Sequence, residues 1–407
     1  MKVLQWILAG ACSALAGFAL VRYLTVPPLL VTLYAILLVL SLIALGLVIG
    51  RYFRRWRILP ALLLALIAFT GTYLLTNHLF LAQEEPRESA NIPATGIGSP
   101  DTGHTAVIYL THGEPPAYSP MPWIETMREF DKDGAPFIPV PFRPFFFHAL
   151  RQEYMESGGS PHNFVHQSMV SNLEEMVRRD GDLNTRFYLS FLDSDPRPDA
   201  AVIQAINEGA DRIVLVHVFL TISSHTKAGM EQVEALGFEE EDIDLCEAGP
   251  LWDSPALKQM FVERANKVVG SGSKDEVGIL LVGHGQPAAW DALYPTQTEQ
   301  ENQFRYDVVE RLSAEGYPRT NISLAWMEFK DPDVETIAEE MGKQGIKKLL
   351  VYPVSISATS LHSEYDIPDA VRAANLPDEI EIINMGAWNN DPLVIEAIRD
   401  QLRECGL

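Results

Sequence analysis

Hydropathy divides the chain into two regimes. Three apolar runs, residues 3–21, 29–50 and 58–82, open it, each close to or longer than the roughly 20 residues a helix needs to cross hydrocarbon. Pro27-Pro28 separate the first two, and a stretch holding Arg51, Arg54, Arg55 and Arg57 separates the second from the third. A cleaved signal peptide accounts only for the first run, and Ala9-Gly10-Ala11-Cys12 stands too near the start for a lipoprotein cleavage site. The pattern therefore predicts an anchor of three transmembrane helices over residues 1–82. Residues 83–104, rich in Pro, Gly, Ser and acid and without apolar periodicity, read as a linker.

From Thr105 onward, short β-branched runs alternate with amphipathic stretches. Residues 106–110 read as a strand ending in Thr111-His112-Gly113-Glu114-Pro115. A helix over 168–179, a strand over 186–191, a helix over 199–208 and an apolar strand over 212–219 follow. The pattern then begins again. A strand over 277–282 ends in Gly283-His284-Gly285-Gln286-Pro287, followed by a helix (299–315), a strand (321–327), a helix (333–344) and a strand (347–354). A polar loop with His362, a helix from Pro368 and a strand over 379–384 complete it. Strands apolar on both faces and alternating with helices predict parallel sheets covered on two sides. The fold class is α/β: two duplicated lobes, residues 105–270 and 271–407, each a parallel sheet flanked by helices, behind three transmembrane helices.

Charge adds a direction. Residues 1–82 hold six basic residues and no Asp or Glu, so all 54 acidic residues share the remainder with 25 of the 31 basic ones. Such an acidic body disfavours nucleic acid as a partner. The arginine loop marks the cytoplasmic side, and Lys2 places the N-terminus with it, although Arg22 beside the outer turn argues the other way. Three spans then carry the body to the far side; without the first span the topology inverts. The expected location is a bacterial inner membrane with an extracytoplasmic body. Cys12, Cys246 and Cys405 form no Cys-x-x-Cys, which excludes a zinc ribbon or a cysteine-ligated iron–sulfur cluster. A Cys246–Cys405 disulfide fits an oxidising compartment, but two unrelated thiols is the plainer reading.

Ligands of such sheets bind beyond the carboxyl ends of the strands, where both His-Gly turns and both loop histidines, His225 and His362, fall. In the second lobe His284, Glu328 and His362 follow successive strands. Two imidazoles and a carboxylate with open positions suit a borderline divalent ion such as Co²⁺, Fe²⁺ or Zn²⁺. Taken singly, each is more readily a hydrogen-bonded turn residue or a helix cap. Their recurrence at one sheet's strand ends argues for a site.

Those residues carry a resemblance. Leu281-Val282-Gly283-His284-Gly285, Glu328 with Asp331-Pro332, and His362 four residues before Asp366-Ile367-Pro368 make the second lobe similar to the sirohydrochlorin cobaltochelatase family. The resemblance implies metal-binding and catalytic roles for His284 and His362 and a metal-binding role for Glu328. The whole body also resembles ferrochelatase in layout, which places that family's catalytic histidine on His284 and its nearby acid on Glu364. His112 and His225 pair like the cobaltochelatase histidines, with no settled role. Counting back four from Pro196 reaches Leu192, with Asp193 one place late, so the first lobe lacks an acid aligned with Glu328. The second lobe is therefore expected to hold the metal, and the first to form the opposite wall of the cleft.

The implied activity is insertion of Co²⁺ or Fe²⁺, as substrate, into a tetrapyrrole such as sirohydrochlorin or a porphyrin, with no organic cofactor. His284 would accept pyrrole protons, His362 and Glu328 would hold the ion, and Glu364 would relay protons outward. Residues 137–147, with Arg143 and Arg151, would supply a ring contact and a carboxylate anchor; they read equally well as a packing segment or membrane contact. His148, His162 and His166 lack ligand spacing and read as structural. A non-catalytic, membrane-tethered metal or haem carrier is the alternative.

Overall fold

The computed structural model describes residues 2–84, 103–136, 138–192, 194–237 and 243–407. Most of the expected linker and Asp193 lie outside the described residues. The chain divides into two compact units, Met1–Pro86 with Ala117–Gly159, and Arg87–Pro116 with Ser160–Leu407.

The first unit contains the three apolar helices, α1 (Lys2–Thr25), α2 (Pro28–Tyr52) and α3 (Arg55–Leu81), each long and apolar enough to cross a membrane. Small residues let α1 and α3 approach closely. A Cβ on Gly17 would stand 2.5 Å from the Phe69 carbonyl oxygen, and Ser13 Oγ donates to the Ala65 carbonyl at 2.5 Å. The same unit takes in α4 (Met121–Lys132) and α5 (Arg143–Ser157), two helices the sequence reading passed over. Tyr73 and Asn77, on the last turns of α3, donate to the carbonyls of Pro141 (2.6 Å) and Val140 (2.7 Å), and Phe80 packs edge-on against Phe147. Residues 117–159 thus belong with the anchor helices, whereas the sequence reading gave them to the first lobe.

The second unit holds both sheets. The first comprises β1 (His104–Thr111), β2 (Thr185–Phe191), β3 (Ala210–His217) and β4 (Asp244–Ala248), in the order β2-β1-β3-β4. The second comprises β5 (Val277–Gly283), β6 (Ile322–Trp326), β7 (Lys348–Pro353) and β8 (Glu381–Asn384), in the order β6-β5-β7-β8. All strand pairs are parallel. The duplication extends to single hydrogen bonds. Leu192 N–H donates to Thr111 O as Met327 N–H does to Gly283 O, both at 2.8 Å, and Val218 to Leu110 as Val354 to Val282, again at 2.8 Å.

Alternation along the central strands sends side chains to two cores. Val107 and Tyr109 of β1 join Ile279 and Leu281 of β5 in one apolar core, closed by Phe261 on the helix Pro255–Val269 and Ile398 on the helix Pro392–Glu404. Ala106, Ile108 and Leu110 face a separate core of the first lobe, and Leu280 and Val282 one of the second. Each buried Val, Leu, Ile or Phe among them contributes about 1.5–3 kcal/mol by leaving water. The shared core makes the two lobes one body. Cys246 on β4 and Cys405, just after the helix Pro392–Glu404, form a disulfide, 159 residues apart, where the sequence favoured two unrelated thiols.

Candidate active site

The second-lobe site begins at the end of β5, where the chain turns through Gly283-His284-Gly285. Gly285 takes φ +86°, and a Cβ there would meet the Glu328 carbonyl oxygen at 2.2 Å, so both backbone conformation and space require glycine. A Cβ on Gly283 would stand 2.9 Å from the Arg305 guanidinium carbon. That guanidinium is buried, lies 3.7 Å from the Trp326 ring centroid and donates to the Ala325 carbonyl. Behind the turn, the helix Pro295–Ala314 presents Glu301, whose Oε1 accepts the His284 N–H at 2.8 Å and the Ser355 hydroxyl.

His284 and His362 face each other. Their ring centroids are 5.6 Å apart and nearly perpendicular, across the strands that the sequence placed side by side. Nδ1 of His284 lies 2.9 Å from the Gly285 carbonyl, an acceptor only, so this nitrogen carries the proton and Nε2 the lone pair of the neutral ring. His362 opens a single π-turn, His362–Asp366, in which Nδ1 lies 2.5 Å from Asp366 Oδ2. Its Nε2 is likewise the nitrogen left for chemistry, oriented by a carboxylate as metal-bound histidines commonly are.

The two rings titrate in opposite directions. Burial, followed by the charge of His362, holds His284 below the ordinary imidazole range, against the opposing pull of Glu328. Burial also opposes charge on His362, but the Asp366 bond and the charges of Asp366, Glu328 and Glu114 outweigh it and raise the ring to about 9.

Glu328 sits after β6 in an exposed position and acts electrostatically on both rings. Its backbone N–H donates to the His284 carbonyl at 3.1 Å, tying the two strand ends together. Among the described residues, no three His, Cys, Asp or Glu side chains stand close enough to hold a metal ion. The expected three-ligand set thus takes the form of two facing imidazoles with a carboxylate beside them, and not of a closed cage. Glu364 is exposed and accepts from the Ser363 hydroxyl (3.2 Å) and Asn384 Nδ2 (3.5 Å).

In the first lobe His112 and His225 come together with ring centroids 4.3 Å apart, beside Phe219 and, from the second lobe, Trp290. The ladder aligns Leu192 with Met327, so Leu192 does not hold the place of Glu328; the next residue, Asp193, lies outside the described residues. Counting from the prolines misses this because the first-lobe loop is one residue shorter.

The two arginines expected to anchor a substrate already have partners. Arg143 is buried against Asp131, with Nη1 2.7 Å from Oδ2. Arg151, fully buried, donates to the carbonyls of Tyr23 (2.9 Å) and Val26 (2.9 Å) at the end of α1, and to His148. Cations stabilise a helix C-terminus, and this arginine is used that way. His166 is buried and bonded to Tyr109, Thr111 and Ser357, in keeping with a structural histidine. Sequence reasoning missed Glu301 and Glu114, the buried carboxylates beside the two histidine loops; nothing local distinguishes either from a surface acid.

A family model described as Ferrochelatase matches residues 137–405, more than half of the chain. The ferrochelatase of Prochlorococcus marinus (strain NATL1A) is 22% identical over 265 residues, which cover 61% of this chain and 66% of that protein. That of Trichodesmium erythraeum (strain IMS101) is 24% identical over 302 residues, covering 70% of this chain and 73% of the relative. Among solved structures, SirB from Bacillus subtilis with Fe³⁺ aligns with a TM-score of 0.47 at 13% identity, over 74% of this chain and 95% of that one. CbiX, described as the terminal enzyme for biosynthesis of siroheme in denitrifying bacteria, aligns at 0.41 and 12%, over 74% and 98%.

Proposed function

The chain belongs to the ferrochelatase family, and from that premise we propose that it inserts a divalent metal ion, Co²⁺ or Fe²⁺, into a tetrapyrrole such as sirohydrochlorin or a porphyrin. One observation carries the reading: two imidazoles 5.6 Å apart, each with Nδ1 engaged and Nε2 left over, at the strand ends of one parallel sheet.

Insertion removes two pyrrole protons and delivers an ion to the ring. His284, held neutral by burial, is the proton acceptor through Nε2. His362 and Glu328 receive the incoming ion. Burial opposes charge on His362, but Asp366 and its neighbours pull the ring toward its protonated form, so an ion held there would compete with a proton. Glu364, exposed beside Asn384, relays protons outward. The first lobe, with His112 and His225, supplies the facing wall.

In this reading the body lies outside the cytoplasm. The arginine loop between α2 and α3 and the Cys246–Cys405 pair both support this side. An alkaline phosphatase fused after Leu407 should be active, and a fluorescent protein at the same point active instead would reverse the assignment.

The test is insertion of Co²⁺ and Fe²⁺ into sirohydrochlorin and protoporphyrin by the full chain in detergent. His284→Ala should abolish it; full activity in that variant would refute the mechanism. An extracytoplasmic body favours the second reading, a metal or haem carrier, and tight haem binding without insertion would select it.

A further inference from the structure

The duplication sets His112-Gly113-Glu114-Pro115 against His284-Gly285-Gln286-Pro287, so Glu114 and Gln286 hold the same place in the two lobes. They are used differently. Gln286, buried, turns into its own lobe, where Nε2 donates to Asp291 Oδ1 and to the Tyr294 carbonyl, each at 2.9 Å. Glu114 reaches into the other lobe. Its Oε1 accepts the backbone N–H of Leu361 at 3.1 Å, and Oε2 lies 3.4 Å from the same nitrogen, 247 residues along the chain.

Leu361 immediately precedes the His362–Asp366 turn. The leading N–H groups of a helical segment have no acceptor within it and need one from outside. Ser360 and Ser363 satisfy one another, with Ser360 N–H donating to Ser363 Oγ at 3.0 Å and Ser363 N–H to Ser360 Oγ at 3.3 Å. Leu361 takes its acceptor from the first lobe. The Glu114 backbone is itself fixed, its N–H donating to Asn163 Oδ1 at 2.9 Å. A carboxylate only 9% exposed is costly unless bonded in this way.

We propose that Glu114 is a positioning residue for His362: the first lobe pins the start of the histidine-bearing turn and so sets where that imidazole stands opposite His284. The site is then a composite of both lobes, and a shift of one against the other alters the spacing of the two rings. This rests on the reading of His362 as a residue that holds the metal.

The test uses the full chain in detergent, Co²⁺ binding by calorimetry, and amide hydrogen exchange of the segment containing Leu361. Glu114→Ala should weaken Co²⁺ binding about tenfold or more and speed exchange at that segment. Glu114→Gln keeps an oxygen acceptor in place and should stay within about threefold of the parent in both measurements. Glu114→Asp retains the charge but withdraws the acceptor, so it should follow Glu114→Ala; it also serves if the alanine variant does not fold. Parent-like Co²⁺ affinity and exchange in the aspartate variant, or a glutamine variant as impaired as the alanine one, would overturn the proposal. Undiminished Co²⁺ binding in His362→Ala would instead remove the metal-holding reading, leaving the exchange comparison to report on the pinning itself.

Discussion

The backbone N–H of His284 donates to Oε1 of Glu301, 2.8 Å away, on a carboxylate that is 2% exposed. This bond fixes the turn from which the proton acceptor projects. Glu301→Leu leaves the half-buried His284 N–H and Ser355 hydroxyl without their acceptor and should cost on the order of 1 kcal/mol for each group stranded. Insertion activity should fall with it, whereas Glu301→Gln, which keeps an acceptor, should retain most of both. Thermal unfolding and the insertion assay on the same preparations check this.

Gly285→Ala places a methyl group where the Glu328 carbonyl oxygen now lies 2.2 Å away, at φ +86°. The strained backbone alone costs of order 1–3 kcal/mol, and relief of the clash moves the Glu328 loop away from His284. Co²⁺ affinity should drop at least tenfold, a change that calorimetry resolves. Unchanged affinity would mean that the Glu328 loop is not part of the site.

Stability should fall in mild acid, partly through His166. Burial, and then the charges of His162 and His112, hold this ring well below the ordinary imidazole range in the folded protein. The unfolded chain takes up a proton near pH 6.5, so this contribution is complete above that pH and shrinks as pH falls below it, by up to about 1.4 kcal/mol per pH unit. His166→Gln removes the titration. Between pH 7 and pH 5 the variant should therefore lose less stability than the parent, as followed by denaturant unfolding at each pH. Equal losses would show that this ring does not contribute.

Arg151→Met strands the carbonyls of Tyr23 and Val26 at the end of α1 and should lower the unfolding temperature in detergent, at about 1–3 kcal/mol for each lost acceptor pairing. The KM for tetrapyrrole should stay as it is, because the guanidinium is spent on protein carbonyls. A raised KM at unchanged stability would return this arginine to the substrate.

The pattern of the chain alone was enough for the three apolar helices, the alternating strands and helices, and the two His-Gly turns. Each of these is a property of one contiguous segment: a run of hydrocarbon long enough to span, or a period of apolar positions along one strand. It was also enough to bring His284 and His362 to one rim, because parallel strands deliver their carboxyl ends to the same edge. Helix α5 stayed hidden because Pro139, Pro141 and Pro144 crowd its start, although proline is tolerated in a first turn. The partners were settled in three dimensions. Glu114 and Leu361 stand 247 residues apart, Cys246 and Cys405 159, and Arg151 finds its carbonyls more than a hundred residues upstream. Whether an acid is a solvated surface group or a buried clamp depends on which donor it meets on packing, and hydropathy carries no record of that meeting.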